Sequence, residues 1–166
     1  FYSLVTGTSA LVLPNNIDVS QNFEIPREIF SPAAYSPDGS QLLLEVGWYE
    51  GGSLAIYLPA ANQLIRPDHE GIFCCSATWA ADGSAVYVAS PWIGMIDSGM
   101  WRFNADGTAS GAEIRISPEN GQTPHLAMDS QGKVLVIWNN DKLYGRFLAT
   151  DGQLSTAFEI DDHAIV

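Results

Sequence analysis

Ala34-Tyr35-Ser36-Pro37-Asp38-Gly39-Ser40 is matched, 44 residues on, by Thr78-Trp79-Ala80-Ala81-Asp82-Gly83-Ser84. A weaker copy, Ala127-Met128-Asp129-Ser130-Gln131-Gly132-Lys133, follows after a further 49. Each copy precedes a run of strand-forming residues: Gln41 to Trp48, Ala85 to Trp92, and Val134 to Trp138. Gly after Asp accepts the positive φ of a tight reversal, so Asp-Gly between apolar runs signals a β-hairpin. A period of 40 to 50 residues decides the fold before any single element does.

The second half of each unit repeats too. Trp101-Arg102-Phe103-Asn104-Ala105-Asp106-Gly107 leads to Ala112-Glu113-Ile114, and Gly145-Arg146-Phe147-Leu148-Ala149-Thr150-Asp151-Gly152 leads to Phe158-Glu159-Ile160. Phe23-Glu24-Ile25 lies three periods of 45 before Phe158-Glu159-Ile160. The first complete unit reads as four short strands, near residues 33–36, 41–48, 53–59 and 63–66. No segment sustains apolar residues at helical spacing for ten positions, and Gly and Pro interrupt every candidate. Four strands per period is the pattern of a β-propeller blade, a small sheet that buries its faces on its neighbours. The expected fold is all-β. Three full four-stranded blades occupy about 30–67, 76–117 and 125–160, and a partial one occupies 1–27. Three closures fit: part of a larger propeller completed by further material, a four-bladed ring, or an open arc completed by self-association with other propeller chains.

The Ser-Pro-Asp-Gly turn at 36–39, the apolar strand after it and Leu54-Ala55-Ile56-Tyr57 resemble the WD40-like repeat of the TolB family and of prolyl-oligopeptidase propellers. That resemblance implies the propeller fold and an extracytoplasmic location, periplasmic, secreted or surface. It implies little about activity, because this architecture hosts unrelated functions. Were the peptidase resemblance literal, the hydrolase domain would lie outside these residues.

Composition narrows the partners. Nineteen Asp and Glu against seven Lys and Arg give a formal charge of −12 in 166 residues. Phosphate neutralisation needs clustered cations, so nucleic acid is excluded as an expected partner, and an anionic membrane surface is disfavoured. No apolar run approaches the roughly 20 residues of a membrane span, and no segment reads as a signal peptide. Hydrophobic residues make up 46%, ample for a core. Cys74 and Cys75 are adjacent, which reads as two thiols rather than a disulfide, because strand neighbours point to opposite faces.

In a propeller, the loops between second and third strands share one end with the loops joining successive blades. The former are Trp48-Tyr49-Glu50-Gly51-Gly52, Trp92-Ile93-Gly94-Met95-Ile96-Asp97 and Trp138-Asn139-Asn140-Asp141. Aromatic rings beside acidic and amide side chains suit a sugar or a protein partner. The expected binding residues are Trp48, Tyr49, Glu50, Trp92, Asp97, Trp138 and Asp141. The competing reading is structural: a Trp ending a strand packs between blades, and repetition in every blade favours that role. His69, His125 and His163 fall in the blade-joining loops and are weak metal candidates without a recognised ligand spacing. No catalytic constellation stands out: Gly7-Thr8-Ser9-Ala10-Leu11 lacks the closing Gly of a nucleophile elbow, and no phosphate loop or carboxylate pair is marked by spacing. No cofactor is expected. The reading is a non-catalytic interaction module. Its alternatives are the propeller portion of a larger hydrolase, peptidase or carbohydrate-active, and a structural subunit of a large assembly.

Overall fold

A computed structural model describes residues 16–18, 25–48, 51–67, 76–93, 97–117 and 122–161. Tyr49, Glu50, His69, Cys74, Cys75, His163 and residues 1–15 lie outside them, and of Trp92 and Asp97 only the backbone is described. Every regular element among the described residues is a strand. No helix there is long and apolar enough to cross a membrane.

The first sheet contains β1 (Asn16–Asp18), β2 (Ile25–Tyr35), β3 (Leu42–Trp48), β4 (Gly51–Leu58) and β5 (Gln63–Ile65), paired in chain order. The second runs β6 (Ser76–Trp79), β7 (Ala85–Ile93), β8 (Asp97–Asn104) and β9 (Ile114–Arg115). The third runs β10 (Gln122–Met128), β11 (Val134–Asn139), β12 (Leu143–Leu148) and β13 (Phe158–Asp161). All pairings are antiparallel meanders, as the hairpin signals require.

One boundary differs from the sequence reading. Residues 23–27 were expected to close a preceding blade and residues 33–36 to open the next, yet Ile25–Tyr35 is one continuous strand. Its amino-terminal half pairs with β1 and its remainder with β3. Proline has no N–H for a ladder, and Pro32 sits where the register shifts, between Pro32 and Ala34. A bulge there lets the strand run through instead of breaking.

The repeated turns share one construction. Gly39 N–H donates to the Ser36 carbonyl, Gly83 to Ala80 and Gly132 to Asp129, and the glycines take φ of 72°, 73° and 83°. The Asp carboxylates lock them: Asp38, Asp82 and Asp129 each accept the backbone N–H two residues on. Closure differs, however. Ser36 N–H reaches Gln41 and Ala80 reaches Ala85, whereas Asp129 reaches Lys133. The third turn is one residue shorter, so Leu42, Val86 and Val134 are equivalent positions.

Period-two alternation then builds the core. Leu43, Leu54 and Ile56 on the front of the first sheet meet Trp79, Val86, Val88, Trp101 and Phe103 on the rear of the second. Ala89, Met100 and Ile116 on the front of the second meet Val134, Val136, Trp138 and Leu148 on the rear of the third. The sheets also touch through their first strands: β2 contacts β6, and β6 contacts β10. Such face-to-face stacking around clustered first strands puts the second-to-third hairpins at one end and the Asp-Gly turns at the other.

Candidate functional site

At the first end, Trp48 closes β3 opposite Gly51 and remains 41% exposed. The equivalent hairpin of the second sheet brings Ile93 opposite Asp97. Counting from Leu42 and Val86, Trp48 and Trp92 hold the same position; the third-sheet residue there is Asn140.

Trp138 lies two places earlier, at the position of Val46, and is only 3% exposed. It packs with Val134, Val136 and Met100 in the seam between the second and third sheets. Its ring stacks on Tyr144 with centroids 6.0 Å apart and planes at 20°, while the Arg146 guanidinium carbon lies 6.0 Å from the indole centroid. This geometry supports the packing alternative for Trp138. The shortened third turn moved the tryptophan inward by changing which residue falls on the rear face.

Asp141 is exposed at the tip of the third hairpin and accepts the Tyr144 hydroxyl at 3.2 Å. Desolvation, followed by the Asp141 charge, holds the Tyr144 phenol above its ordinary value. Beside it Lys142 Nζ lies 2.9 Å from Glu159 Oε1, and that carboxylate raises the Lys142 ammonium. Asp141 thus anchors a tyrosine that in turn covers Trp138. Trp48 and Asp141 sit in different sheets, and among the described residues no hydrogen bond or ring contact joins them.

His125 lies on a strand rather than in a loop, within β10 and opposite Ile137. Among the described residues, no three His, Cys, Asp or Glu side chains gather to hold a metal ion.

At the opposite end the second and third sheets leave an open cleft of about 470 Å³ between their Asp-Gly turns. Asp82, Tyr87, Arg102, Met128 and Gln131 line it. The Arg102 guanidinium donates to Ser110 Oγ, and its carbon sits 6.0 Å from the Tyr87 ring centroid. The Ser84 backbone N–H, then its hydroxyl, hold Asp82 below the usual carboxylate range, and the Arg102 charge acts in the same direction. The sequence reading missed this cleft because its turns were read only as chain reversals. The available signal was Arg102, a cation at a front-face position paired with Tyr87.

No family model matches the sequence, and no curated protein matches it. Solved structures do share its fold. The chain is similar to TolB from Acinetobacter baumannii (TM-score 0.60, 15% identity, 92% of this chain and 35% of that one). It is also similar to a putative TolB from Agrobacterium tumefaciens (TM-score 0.58, 17% identity, 79% of this chain and 50% of that one). Prolyl oligopeptidase B from Galerina marginata matches with TM-score 0.57 and 11% identity over 83% of this chain and 23% of that one. The chain therefore spans half or less of the length of each. At such identities the likeness concerns architecture: the chain has a TolB-like β-propeller fold, an unclosed array of blades.

Proposed function

We propose that this chain is a non-catalytic interaction module that acts outside the cytoplasm and binds a protein or a glycan at its second-to-third-strand hairpins. The contact residues are Trp48, Tyr49, Glu50, Trp92, Asp97 and Asp141, with Trp138 supporting the third hairpin from the seam below. The observation that carries this reading is the 41% exposure of Trp48 at a hairpin tip, against 3% for Trp138 inside. A large aromatic ring left in water at a loop end offers apolar area at small entropic cost on binding. The likeness to a peptidase propeller supports a second reading, the propeller portion of a larger hydrolase.

The test is ligand capture on a glycan array and from an extracytoplasmic protein extract, comparing the natural chain with a Trp48→Ala, Trp92→Ala double variant. Loss of captured ligand with unchanged β-sheet circular dichroism is expected. Equal capture by the variant overturns the assignment of the surface.

A further inference from the structure

Side chains at matched positions explain why the seam between the second and third sheets opens at its Asp-Gly end. The cross-strand pair Leu43 and Ile56 on the front of the first sheet corresponds to Tyr87 and Arg102 on the second. On the walls that face these pairs, Trp79 and Phe103 of the first seam correspond to Met128 and Leu148 of the second. Leu43, Ile56 and Phe103 are fully buried and Trp79 is nearly so, which fills the first seam. In the second seam a thioether stands in place of an indole, and a phenol and a guanidinium stand in place of two aliphatic chains. Tyr87, Arg102 and Met128 all remain half-buried. Less volume on one wall and more polarity on the other leave the cleft of about 470 Å³.

Its polar groups are of both kinds. Arg102 donates through Nη1 to Ser110 Oγ, which steadies the guanidinium beside the Tyr87 ring. The Ser84 N–H and hydroxyl both reach Asp82 Oδ1, at 3.0 and 2.7 Å, and among the described residues no hydrogen bond is made to Oδ2. In the matching turn of the first sheet, Asp38 Oδ2 accepts the Ser40 hydroxyl at 2.8 Å. Gln131 brings an amide from the opposite turn. Arg102 and Asp82 are the charged residues of the lining, and their charges cancel. An anion would meet Asp82 and the field of a chain carrying −12, and a cation would meet Arg102. A neutral ligand rich in hydroxyls escapes both penalties. Hydroxyls donate to a carboxylate and accept from a guanidinium or an amide, and the C–H face of a sugar ring covers an aromatic one.

We infer that this cleft is a binding site for a neutral oligosaccharide. Asp82 Oδ2 accepts from sugar hydroxyls, Arg102 donates to them, and the Gln131 amide does both. Tyr87 and Met128 supply the apolar contact. The volume falls within the range of small-ligand sites. The site lies at the end opposite the hairpin surface proposed above and is independent of it.

Titrating the nitrogen-labelled chain with maltotriose, cellotriose and chitotriose, followed through amide chemical shifts, tests the inference. At least one sugar should move the Asp82, Ser84, Gln131 and Gly132 amides saturably and leave Gly39 unmoved. Tyr87→Leu with Arg102→Ile reproduces the Leu43 and Ile56 pair, and should weaken binding at least about tenfold as charge-assisted hydrogen bonds are lost. Gln131→Ala, at an exposed turn position, should weaken it about threefold. Thermal unfolding checks that each variant folds, and Gln131→Ala keeps the test open should the double variant fail there. Absence of a saturable shift with every one of these sugars overturns the inference, as does binding indifferent to both variants. Shifts confined to the hairpin end overturn it while leaving the hairpin surface standing. Tighter binding of glycylglycine or trigalacturonate than of the neutral sugars overturns the choice of ligand.

Discussion

The indole N–H of Trp79 donates to the backbone carbonyl of Ala34 at 3.3 Å, crossing the seam between the first two sheets. Trp79 is 6% exposed and packs beside Leu43 and Val86, so one side chain supplies both apolar area and a polar tie. The next seam has its own tie: the Leu126 N–H donates to Ser76 Oγ at 2.9 Å.

Replacing Trp79 separates the two contributions. Trp79→Phe keeps most of the ring but strands the Ala34 carbonyl, and should lower stability by about 1–2 kcal/mol. Trp79→Ala also opens a cavity and should cost about 3–5 kcal/mol. Urea unfolding followed by circular dichroism measures both. An unchanged stability of Trp79→Phe would mean that the hydrogen bond contributes nothing.

Gly107 tests the seam from the turn side. Its φ is +84°, and a Cβ there would lie 2.6 Å from Ile65 Cγ2 and 3.2 Å from the Arg66 carbonyl oxygen. Gly152 has the same φ with nothing within 4 Å. Gly152→Ala should therefore cost only the left-handed strain, about 1–2 kcal/mol. Gly107→Ala should cost about 1–3 kcal/mol more, because the first sheet must move to make room. Matched denaturation curves of the two variants provide the comparison.

Tryptophan position divides packing from binding. Trp138→Ala should destabilise the fold by about 3–5 kcal/mol, since that ring fills the second seam. Trp48→Ala should change stability by less than about 1 kcal/mol, as expected for a partly exposed strand end. Ligand capture should follow the opposite order wherever the two proteins remain folded.

Acid should loosen the Asp-Gly turns. The Ser36 hydroxyl, the Ser40 N–H and the Ser40 hydroxyl hold Asp38 from its ordinary 3.8 down to about 2. Hydrogen bonds from Thr108 and from Ser84 depress Asp106 and Asp82 in the same direction. A carboxylate with a lowered folded pKa stabilises the fold above its unfolded value and loses that contribution as pH falls through the folded one. Thermal midpoints should thus decline as pH drops from about 4 to about 2, and Asp38→Asn should flatten part of the decline. A variant with the natural pH profile would show that this turn does not carry the effect.

The repeat, the strand type and the propeller class were legible in the chain because each rests on short-range chemistry. Asp-Gly pairs demand a reversal, β-branched and aromatic runs demand a pleated surface, and a 44-residue return of both demands a second sheet like the first. Facing was less legible. Aligned by Arg-Phe, residues 102–103 and 146–147 look equivalent, but counting back from Gly107 and Gly152 pairs Phe103 with Leu148 and Arg102 with Phe147. Phe103 is accordingly buried in the first seam, while Phe147 lies on the open front of the third sheet.

A one-residue slip leaves composition and period intact and turns a strand's side chains over, so local sequence is blind to it. Only the hydrogen-bonded register decided it: the Asp129-to-Lys133 closure, shorter than Ser36 to Gln41, put Trp138 into the seam. The cleft beneath Arg102 belongs to the same class of fact. It exists because separate sheets stack, and stacking pairs residues dozens of positions apart that carry no local mark of one another.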